Sequence, residues 1–581
     1  MPVNLNTLLN STPVSPPHSQ FHPSHSQGPS AIELANLLSP AVDSHRALPK
    51  QAHHQQQYSE HDEQQEDDDE HKQFREALQA LPLTQPATHT LPVAAFNRSR
   101  PPRAAKLASY QRPVPFTSFS YDDHRLIRTG KHQFESLRPF SVPQNLVGFD
   151  LSHRIDRAVF RDESIDEGID GLLISLIGFL DKADPKERLD LCRGVFSASL
   201  ITWRGVLTKL CASVYETAGE GGGGGGGWTK EVMMVDGTVY MIDGPKTAEE
   251  QGGSSAQQTY YGHSYESLLT NPSGFEDVNT NTQWVSVVKS NLNGNRLILG
   301  GEVDCIDPNA FNHHRHQLAH NSDQPSETVP IDQFIEIKTS IMPASDRDHW
   351  NLYRFKMLKF WLQSYLLGVP KIHVGLRDRS GIVRGAQDYL TEEIPALVKQ
   401  RQAKPGGRWS SEQCLETGGS IIGFVRDRLS RTAAPGARTR QSVCQARLDT
   451  IVSQEAARRR AESAHNHTGA GGLSDTCARQ IAALAHWPVY TLRFRPPKNH
   501  SLPGTLELVE RPADAVAHSV AQRMSDALFG FRHPLLNPHH HQHGGSRVGF
   551  LPLLWMSYLV LTRVQLALET ETPSRNLYHS T

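Results

Sequence analysis

Two short stretches, GEVDCID at residues 301–307 and FIEIKTS at residues 334–340, decide how this chain folds. Both are rich in β-branched residues and predict strands. Because side chains two apart in a strand share a face, each stretch places two ionisable residues on one face. These residues are Glu302 and Asp304 in the first stretch and Glu336 and Lys338 in the second. If the strands are neighbours, three carboxylates and one amine gather in a single patch.

Such a patch needs compensation, because neighbouring carboxylates repel one another and desolvated charge is expensive. A divalent cation is the simplest compensation, since carboxylate oxygens suit Mg²⁺ or Mn²⁺, which keep positions for water and a phosphate. Lys338 would then stabilise charge on the phosphate or orient the attacking water. The alternative is a half-exposed edge strand with an ordinary surface ion pair between Glu336 and Lys338. Together the two motifs favour metal-dependent cleavage at phosphorus.

Two further segments carry candidate partners of this patch. Glu266, in YYGHSYESLL (260–269), is a candidate fourth acid from a neighbouring helix, with a surface glutamate as the alternative. Residues 349–370 predict an amphipathic helix. Its polar face either meets phosphates or is solvated, and that face carries Lys356, Lys359 and Gln363.

Aromatic and histidine-rich stretches give weaker signals. Trp203 offers a ring that could stack on a base, and Arg204 offers a guanidinium that could bind a phosphate through two hydrogen bonds. The alternative is a buried tryptophan beside an arginine with a structural role. The histidine runs at residues 312–317 and 539–543 lack a defined ligand spacing, which favours adventitious metal binding over a built site.

The composition limits the class of protein. The chain has 581 residues and a hydrophobic content of 37%, which indicates that part of it is not packed into a core. Its net charge of -2 argues neither for nor against binding to nucleic acid. Six cysteines without a CxxC pair argue against a disulfide framework or zinc ribbon and for a reducing compartment. No secretory signal is read, and the apolar run at 548–562 is too short to span a bilayer, so a soluble protein is expected.

The pattern along the chain predicts a large catalytic core between low-complexity segments. A helix is expected at 162–180 and a loop at the glycine run 219–228, with strands at 489–494, 504–510 and 549–555. The predicted divisions are a disordered tail (1–112), a catalytic core (113–396), its continuation (397–429), a disordered insertion (430–480), C-terminal core strands (481–560) with a loop insertion (511–546), and a tail (561–581).

The acid motifs stand in a longer ordered series. The series is FSYDDHR (119–125), DESIDEGIDGLL (162–173), TWRGVLTKL (202–210), GHSYE (262–266), VNTNTQW (278–284), GEVDCIDP (301–308), FIEIKTS (334–340), KFWLQSYLLGVPKIHVGLRD (359–378) and GFLP (549–552). In this order and spacing the chain resembles the DXO family of RNA 5′-end decapping nucleases. The resemblance extends well over residues 115–385 and thinly over 405–555.

The resemblance implies a fold and a set of site residues. The fold is α/β (α+β), with two packed mixed β-sheets flanked by helices around a PD-(D/E)xK nuclease-like core. The implied metal ligands, for two Mg²⁺ or Mn²⁺ ions, are Glu266, Glu302, Asp304, Glu336 and the carbonyl of Ile337. The implied catalytic residues are Asp304, Glu336, Lys338 and Gln363, the last two at the scissile phosphate and the water. The implied substrate contacts also include Arg125, Glu167, Trp203, Arg204, Gly205 and Glu266.

The resemblance also implies an activity, a partner and a compartment. The activity is removal of incomplete caps, of NAD caps or of pyrophosphate from 5′-triphosphate RNA, with 5′–3′ exonuclease activity in some members. The fungal branch partners a nuclear 5′–3′ exoribonuclease, which implies a nuclear protein, with the cytoplasm as the alternative. The basic segment 97–106 is read as an import signal, an RNA-contacting arm or a solvated charge run.

Two other functions stay open from the sequence. The first is a stabiliser or activator of that exoribonuclease with little or no catalysis, and the intact acid set argues against it. The second is a DNA-directed nuclease on the same core. His263 departs from the family, which has an aromatic residue at that position, and this leaves the shape of the pocket open.

Overall fold

Two β-sheets are joined by the chain that runs through residues 295–306 in the computed structural model. The structure describes residues 69–91, 109–218, 227–245, 256–271, 275–320, 328–401, 407–431, 438–464, 473–498, 502–512 and 547–570. Sequence predictions for residues 1–68, 92–108, 219–226 and 513–546, which include the second histidine run, lie outside these ranges.

The first sheet has ten strands and contains both parallel and antiparallel pairs. In sheet order the strands are β1 (Ala87–Thr90), β14 (Thr505–Glu510), β13 (Tyr490–Arg495), β5 (Trp228–Val235), β6 (Thr238–Asp243), β4 (Leu200–Trp203), β8 (Asn295–Glu302), β7 (Gln283–Leu292), β2 (Val114–Tyr121) and β3 (Ile127–Arg128). Strand β4 pairs in parallel with β6 and β8, and the other ladders are antiparallel.

The second sheet has four strands, and one of its edges is nearly bare. In order, the strands are β12 (Val383–Leu390), β11 (Lys371–Arg377), β10 (Phe334–Ile341) and β9 (Cys305–Ile306). Strands β10 and β11 are parallel, and the other two ladders are antiparallel. Because β9 pairs only with Phe334 and Ile335, β10 has no strand partner on that side from Glu336 onward in the described chain. Two mixed sheets were predicted, and this is confirmed.

Helices surround both sheets. They are α1 (69–79), α2 (Asp170–Lys182), α3 (Pro185–Phe196), α4 (Arg204–Ala212), α5 (Ala256–Thr270), α6 (Pro308–His320), α7 (Asp346–Asn351), α8 (Met357–Leu367), α9 (Ile394–Arg401), α10 (Ser411–Arg431), α11 (Arg440–Ala464), α12 (Asp475–Ala482) and α13 (Leu553–Thr570). A π-helical turn, Leu352–Lys356, joins α7 to α8. No helix among the described residues is long and apolar enough to cross a membrane. A short hairpin, β15 (Arg547–Val548) and β16 (Leu551–Pro552), precedes α13.

The four-stranded sheet is held between two helices. On one face, Tyr265 of α5 packs in an apolar cluster with Ile335 and Ile337. On the other face, Trp361 of α8 belongs to the cluster that contains Ile372 of β11. Because strand residues alternate between faces, Glu336 and Lys338 point to the α8 side.

The prediction of a disordered insertion at 430–480 is wrong for the residues described there, because α11 and most of α12 lie in this range, while residues 432–437 and 465–472 lie outside the described ranges. Cys444, Leu448 and Ile451 of α11 are fully buried in the core cluster that also contains Trp555 of α13. Their spacing places them on one helix face, while the arginine and serine residues of this stretch cover the rest. The Arg/Ala/Ser-rich composition hid this narrow apolar stripe.

Other boundaries also differ from the prediction. The strand expected at 549–555 is only Leu551–Pro552, because Pro552 immediately precedes α13, whose apolar residues from Leu553 to Val560 are buried. This helix continues to Thr570 and so occupies half of the predicted tail. The predicted helix at 162–180 begins only at Asp170, after Gly168 with a φ of +53°. Part of the predicted N-terminal tail is ordered as α1 and β1.

A buried ion pair ties α2 to the C-terminal hairpin. Arg547 Nη1 donates to Asp170 Oδ1 at 2.9 Å, Nη2 pairs with Oδ2, and both side chains are almost fully buried. We expect Asp170→Ala to lower the free energy of unfolding by about 3–5 kcal/mol, because Arg547 is left charged inside the protein. Urea unfolding measures this loss.

The control is Asp190→Ala, which removes an exposed ion pair with Arg193 on α3. Its expected cost is only about 0.2–1 kcal/mol, since solvent screens the pair. Equal losses in the two variants would contradict the importance of the buried pair.

Candidate active site

The site lies at the bare edge of β10. The chain leaves the large sheet at Glu302 and enters the small sheet at Cys305, so Val303 and Asp304 form the link between them. The N–H of Ile337 donates to Asp304 Oδ2 at 2.7 Å. A carboxylate therefore takes the position that a neighbouring strand would occupy. The predicted single strand through Glu302 and Asp304 is thus interrupted, although both acids still reach the same cleft.

Two cations stand against the acids of β10 and the link. Lys338 Nζ lies 2.6 Å from Glu336 Oε1 and 3.6 Å from Asp304 Oδ2. Arg204, the first residue of α4, places Nη1 3.5 Å from Glu336 Oε1 and donates to the carbonyl of Gln363 at 3.1 Å. The structure thus brings together Asp304, Glu336 and Lys338 with Arg204 and the backbone of Gln363.

Two further acids face a cleft of about 130 Å³ beside this group. Glu266 reaches the cleft from α5, and Glu302 reaches it from the end of β8. Within the described chain, neither carboxylate accepts a hydrogen bond or forms an ion pair. Val303, Asp304 and several polar residues of 276–283 also line the cleft.

The electrostatics show a shortage of positive charge. Burial, reinforced by Asp304 and Glu302, raises the pKa of Glu266 well above its usual range. Burial also raises the pKa of Asp304 to about 7, although Lys338 opposes the shift. For Glu336 the upward push of burial is overcome by Lys338 and Arg204, which hold its pKa below the usual value. Two cations thus neutralise Glu336 but not the whole set.

The donor set fits a hard divalent cation. Glu336 Oε2 is buried and has no hydrogen-bond partner among the described residues, and its carboxylate is only 1% exposed. The N–H and C=O of one strand residue point to the same side, so the carbonyl of Ile337 points to the same edge as its N–H. Among the described residues, no three His, Cys, Asp or Glu side chains converge on one ion position. Lys338 and the Ile337 amide engage oxygens of Asp304 and Glu336, so binding of an ion by these acids requires side-chain movement.

Arg125 and Glu167 form a second layer behind the cleft. Arg125 pairs with both carboxylate oxygens of Glu167, at 2.7 and 2.9 Å, and its guanidinium lies 3.7 Å from the ring centre of Tyr121. It also donates to Gln283 Oε1 at 2.6 Å, and Gln283 lines the cleft. These two predicted substrate contacts are therefore near the cleft but engaged with each other.

Trp203 and Gly205 flank Arg204 at the start of α4. The indole N–H of Trp203 donates to the carbonyl of Gly168 at 2.8 Å, and its ring lies against Gly300, where a Cβ would clash. Trp203 is half-buried rather than fully buried. Gly205 is exposed and has open space where a Cβ would stand. The structure therefore leaves room for a substrate at Gly205, while Trp203 is largely held by the protein.

The first histidine run lies in a helix and not in an irregular stretch. His314 of α6 is buried and stacks on Phe134 at 6.1 Å. The described residues include no histidine group arranged to hold a metal. Packing accounts for His314 without a metal.

Sequence reasoning missed several residues of the site. Asn279, Thr280 and Gln283 line the cleft, but only their order along the chain had been noted. His263 lies three residues before Glu266 on α5, and this helical spacing was a usable signal that both face the cleft. Burial and then Lys338 lower the pKa of His263. This histidine is therefore a neutral polar group of the wall.

A hydrogen-bonded chain that starts at the buried Tyr265, next to Glu266 in sequence, was also missed. The Tyr265 hydroxyl lies 2.9 Å from His373 Nε2, and His373 Nδ1 lies 2.5 Å from Asp388 Oδ1. An ionised Asp388 only accepts, so Nδ1 carries the proton and Nε2 accepts from Tyr265. The chain ties α5 to β11 and β12 beside Glu266. Its residues are far apart in sequence, and no local pattern indicates it.

We expect Tyr265→Phe to lower the free energy of unfolding by about 1–3 kcal/mol, because it leaves His373 Nε2 unpaired inside the protein. Chemical denaturation measures this loss. Tyr365→Phe on α8 is the matched control, since the Tyr365 hydroxyl makes no hydrogen bond within the described ranges, and it should be almost neutral. A Tyr265→Phe protein as stable as this control would show that the chain does not hold α5.

The arrangement defines a class of protein. A mixed sheet that carries Glu336-Ile337-Lys338 beside Asp304 has the E-x-K and acid pattern of PD-(D/E)XK nucleases. The model of the RAI1-like PD-(D/E)XK nuclease family matches residues 111–463. The chain belongs to this family. The resemblance noted in the sequence and the prediction of a hydrolase of the decapping nuclease family are both confirmed.

Several proteins named as decapping nucleases or as a decapping and exoribonuclease protein are similar to this chain. Decapping nuclease RAI1 of Mycosarcoma maydis is 29% identical over 472 residues, covering 71% of this chain and 84% of that protein. Decapping nuclease RAI1 of Aspergillus fumigatus is 31% identical over 336 residues, with coverages of 54% and 82%. The human decapping and exoribonuclease protein is 29% identical over 331 residues, with coverages of 55% and 75%.

One solved structure supports the fold directly. The crystal structure of Scheffersomyces stipitis Rai1 in complex with (3′-NADP)+ and calcium ion matches with a TM-score of 0.50 and 18% identity. The match covers 75% of this chain and 95% of that one. The predicted nuclease-like core of two packed sheets therefore agrees with an experimental fold.

Proposed function

We propose that this protein is a metal-dependent hydrolase that acts on RNA 5′ ends. The observation that carries the proposal is the gathering of Asp304, Glu336 and Lys338 at the bare edge of β10, next to Glu266 and Glu302. Family membership supports RNA as the substrate, since the relatives are named decapping nucleases.

The residues that would hold one or two Mg²⁺ or Mn²⁺ ions are Glu266, Glu302, Asp304, Glu336 and the carbonyl of Ile337. When bound, such ions would lower the pKa of a coordinated water and stabilise charge on the phosphate oxygens. The calcium ion in the S. stipitis Rai1 structure supports divalent metal use.

The protein's own groups would then position the phosphate and the water. Lys338 is a donor rather than a base, because it is held as a cation between Asp304 and Glu336. Arg204 lies beside the same carboxylate and offers a planar donor to a phosphate. Gln363 lies on α8, half-buried on the Arg204 side, and supplies an amide for the water or the phosphate. Arg125 and Glu167 would open their mutual pair to contact the substrate.

The finer substrate range follows from the family. We propose removal of incomplete caps, of NAD caps or of pyrophosphate from 5′-triphosphate RNA. The (3′-NADP)+ ligand of S. stipitis Rai1 supports a dinucleotide-type end, and the name of the human relative supports 5′–3′ exonuclease activity. All of these reactions need water attack on a phosphorus at or near the 5′ end.

Partner and compartment are further proposals. The family resemblance supports a nuclear 5′–3′ exoribonuclease as partner and a nuclear protein, with the cytoplasm as the alternative. The opposing function, a stabiliser of that exoribonuclease without catalysis, is disfavoured by the site. A scaffold has no use for four acids and Lys338 held together at the cost of their desolvation.

The proposal predicts the effect of removing single acids. We expect Asp304→Ala and Glu336→Ala each to lower the hydrolysis rate of 5′-triphosphate RNA by at least about 10²–10³-fold, since each removes a carboxylate that would hold the ion that stabilises charge on the reacting phosphate. Pyrophosphate release measures the rate. The control is Asp332→Ala, which changes an exposed acid two residues before β10 and should keep full activity. Full activity of Asp304→Ala would contradict the assignment.

The proposal also predicts metal dependence and end selectivity. EDTA should abolish hydrolysis, and Mg²⁺ or Mn²⁺ should restore it, because the acids alone offer no Lewis acid. Matched short RNAs with triphosphate, unmethylated cap, methylated cap, NAD or monophosphate ends would identify the preferred end by chromatography of the products. Hydrolysis that persists in EDTA would contradict the metal role. No product from any end would favour the scaffold.

A further inference from the structure

The bare edge of β10 continues beyond the acids. Backbone groups of alternate strand residues point to the same edge, so the carbonyl of Thr339 points to the side on which Asp304 meets Ile337. Lys356 Nζ donates to this Thr339 carbonyl at 3.2 Å. A lysine therefore stands two residues further along the same edge as the acid group.

Lys356 belongs to a group of cations. Lys359 and Arg377 both lie close enough to act on it electrostatically, and together with burial they lower its pKa to about 8. Neither lysine forms an ion pair with any described residue. We call Lys356, Lys359 and Arg377 the cationic extension.

Arg377 is only 5% exposed, so it adds positive charge to this group from inside the protein. Its Nη1 donates to the carbonyl of Asp378 at 3.0 Å, and its guanidinium lies 4.8 Å from the ring centre of Tyr261 on α5. Its Nε is buried and has no hydrogen-bond partner in the described part of the chain. Burial lowers the pKa of Arg377, and Tyr261 and Asp378 oppose this shift.

The local backbone explains how Lys356 reaches this place. It ends the π-helical turn Leu352–Lys356, which widens the helix by one residue per turn just before α8. Such turns are rare and often found at functional sites. If Lys356 served only to link the helix to the strand, its hydrogen bond to the Thr339 carbonyl would be enough. That structural role does not require two further cations, Lys359 and Arg377, near it.

We propose that the cationic extension binds a backbone phosphate of single-stranded RNA, next to the phosphate held at the acid group. This inference rests on the proposed function. Ile337 and Thr339 are two strand residues apart, roughly 6–7 Å. That distance is close to the spacing of neighbouring phosphates in an extended strand. The edge of β10 would thus carry the metal site and, at a distance of one nucleotide along the bound RNA, a second site for a phosphate.

The test uses the full-length protein and a ten-nucleotide 5′-triphosphate RNA in which one linkage at a time is a neutral methylphosphonate. Lys356→Met and Lys359→Met each remove one charge and keep the apolar stem, and Lys186→Met on α3 is the matched control. A charged hydrogen bond to phosphate is worth about tenfold. In wild type, one neutral linkage should therefore lower kcat/KM by about tenfold. In Lys356→Met or Lys359→Met the same linkage should have a clearly smaller effect, because one of the cationic contacts of that phosphate is already lost.

Binding is measured in parallel without metal, using a ten-nucleotide RNA with a 5′-monophosphate and fluorescence anisotropy at several salt concentrations. Loss of one phosphate contact should make the slope of log affinity against log salt shallower by about 0.7 in Lys356→Met or Lys359→Met, and not in Lys186→Met. Since no hydrolysis occurs, this arm does not depend on the activity.

The outcomes separate the two proposals. Lysine variants that behave like Lys186→Met in both arms, while wild type hydrolyses RNA, would overturn the cationic extension and leave the proposed function intact. The same holds if every neutral linkage has the same effect in wild type and Lys356→Met. Absence of hydrolysis by wild type, with the predicted loss of salt dependence in the lysine variants, would overturn the proposed function and support the phosphate site.

Discussion

The hydrogen bond from the Ile337 N–H to the Asp304 carboxylate is the contact on which the site depends. It exists because β9 is only two residues long, so β10 has an unpaired edge from Glu336 onward. An unpaired backbone edge normally invites another strand. Here a side chain of the link between the two sheets covers it, and this fixes an acid next to Glu336 and Lys338. The separation of the chain into two sheets at residues 303–304 thus creates the active centre.

Charge balance explains why this arrangement calls for a ligand. Glu266, Glu302, Asp304 and Glu336 carry four negative charges when ionised, and among the described residues Lys338 and Arg204 are the two cations that pair with them. Burial makes the remaining imbalance costly, as the raised pKa values of Glu266, Glu302 and Asp304 show. A divalent cation restores neutrality in the space beside the cleft. Further along the same edge there is an excess of positive charge, since Lys356 and Lys359 form no ion pair with an acid among the described residues.

The sequence predicted much of the fold and the acid group, because both depend on short local patterns. Alternation in FIEIKTS placed Glu336 and Lys338 on one face, and the strands at 490–495 and 505–510 followed from their β-branched residues. Helix α11 was missed because its apolar stripe of Cys444, Leu448 and Ile451 is narrow and its composition resembles a disordered segment.

Long-range contacts could not be predicted in this way. The hydrogen bond between Tyr265 and His373 joins residues 108 positions apart, and no local sequence pattern indicates it. The break between Glu302 and Cys305 depends on which sheet each residue joins, which is decided by packing of the whole core. The family roles of Arg125, Glu167 and Gln363 remain predictions, although the structure places all three near the acids or their supports.

The most direct measurement is X-ray diffraction from crystals grown with Mn²⁺, with anomalous data collected near the manganese edge. The account predicts anomalous density bounded by Glu266, Glu302, Asp304 and Glu336, within bonding distance of the Ile337 carbonyl, and its loss in Asp304→Ala. No anomalous density at this site in an enzyme that hydrolyses RNA in the same buffer would contradict the account.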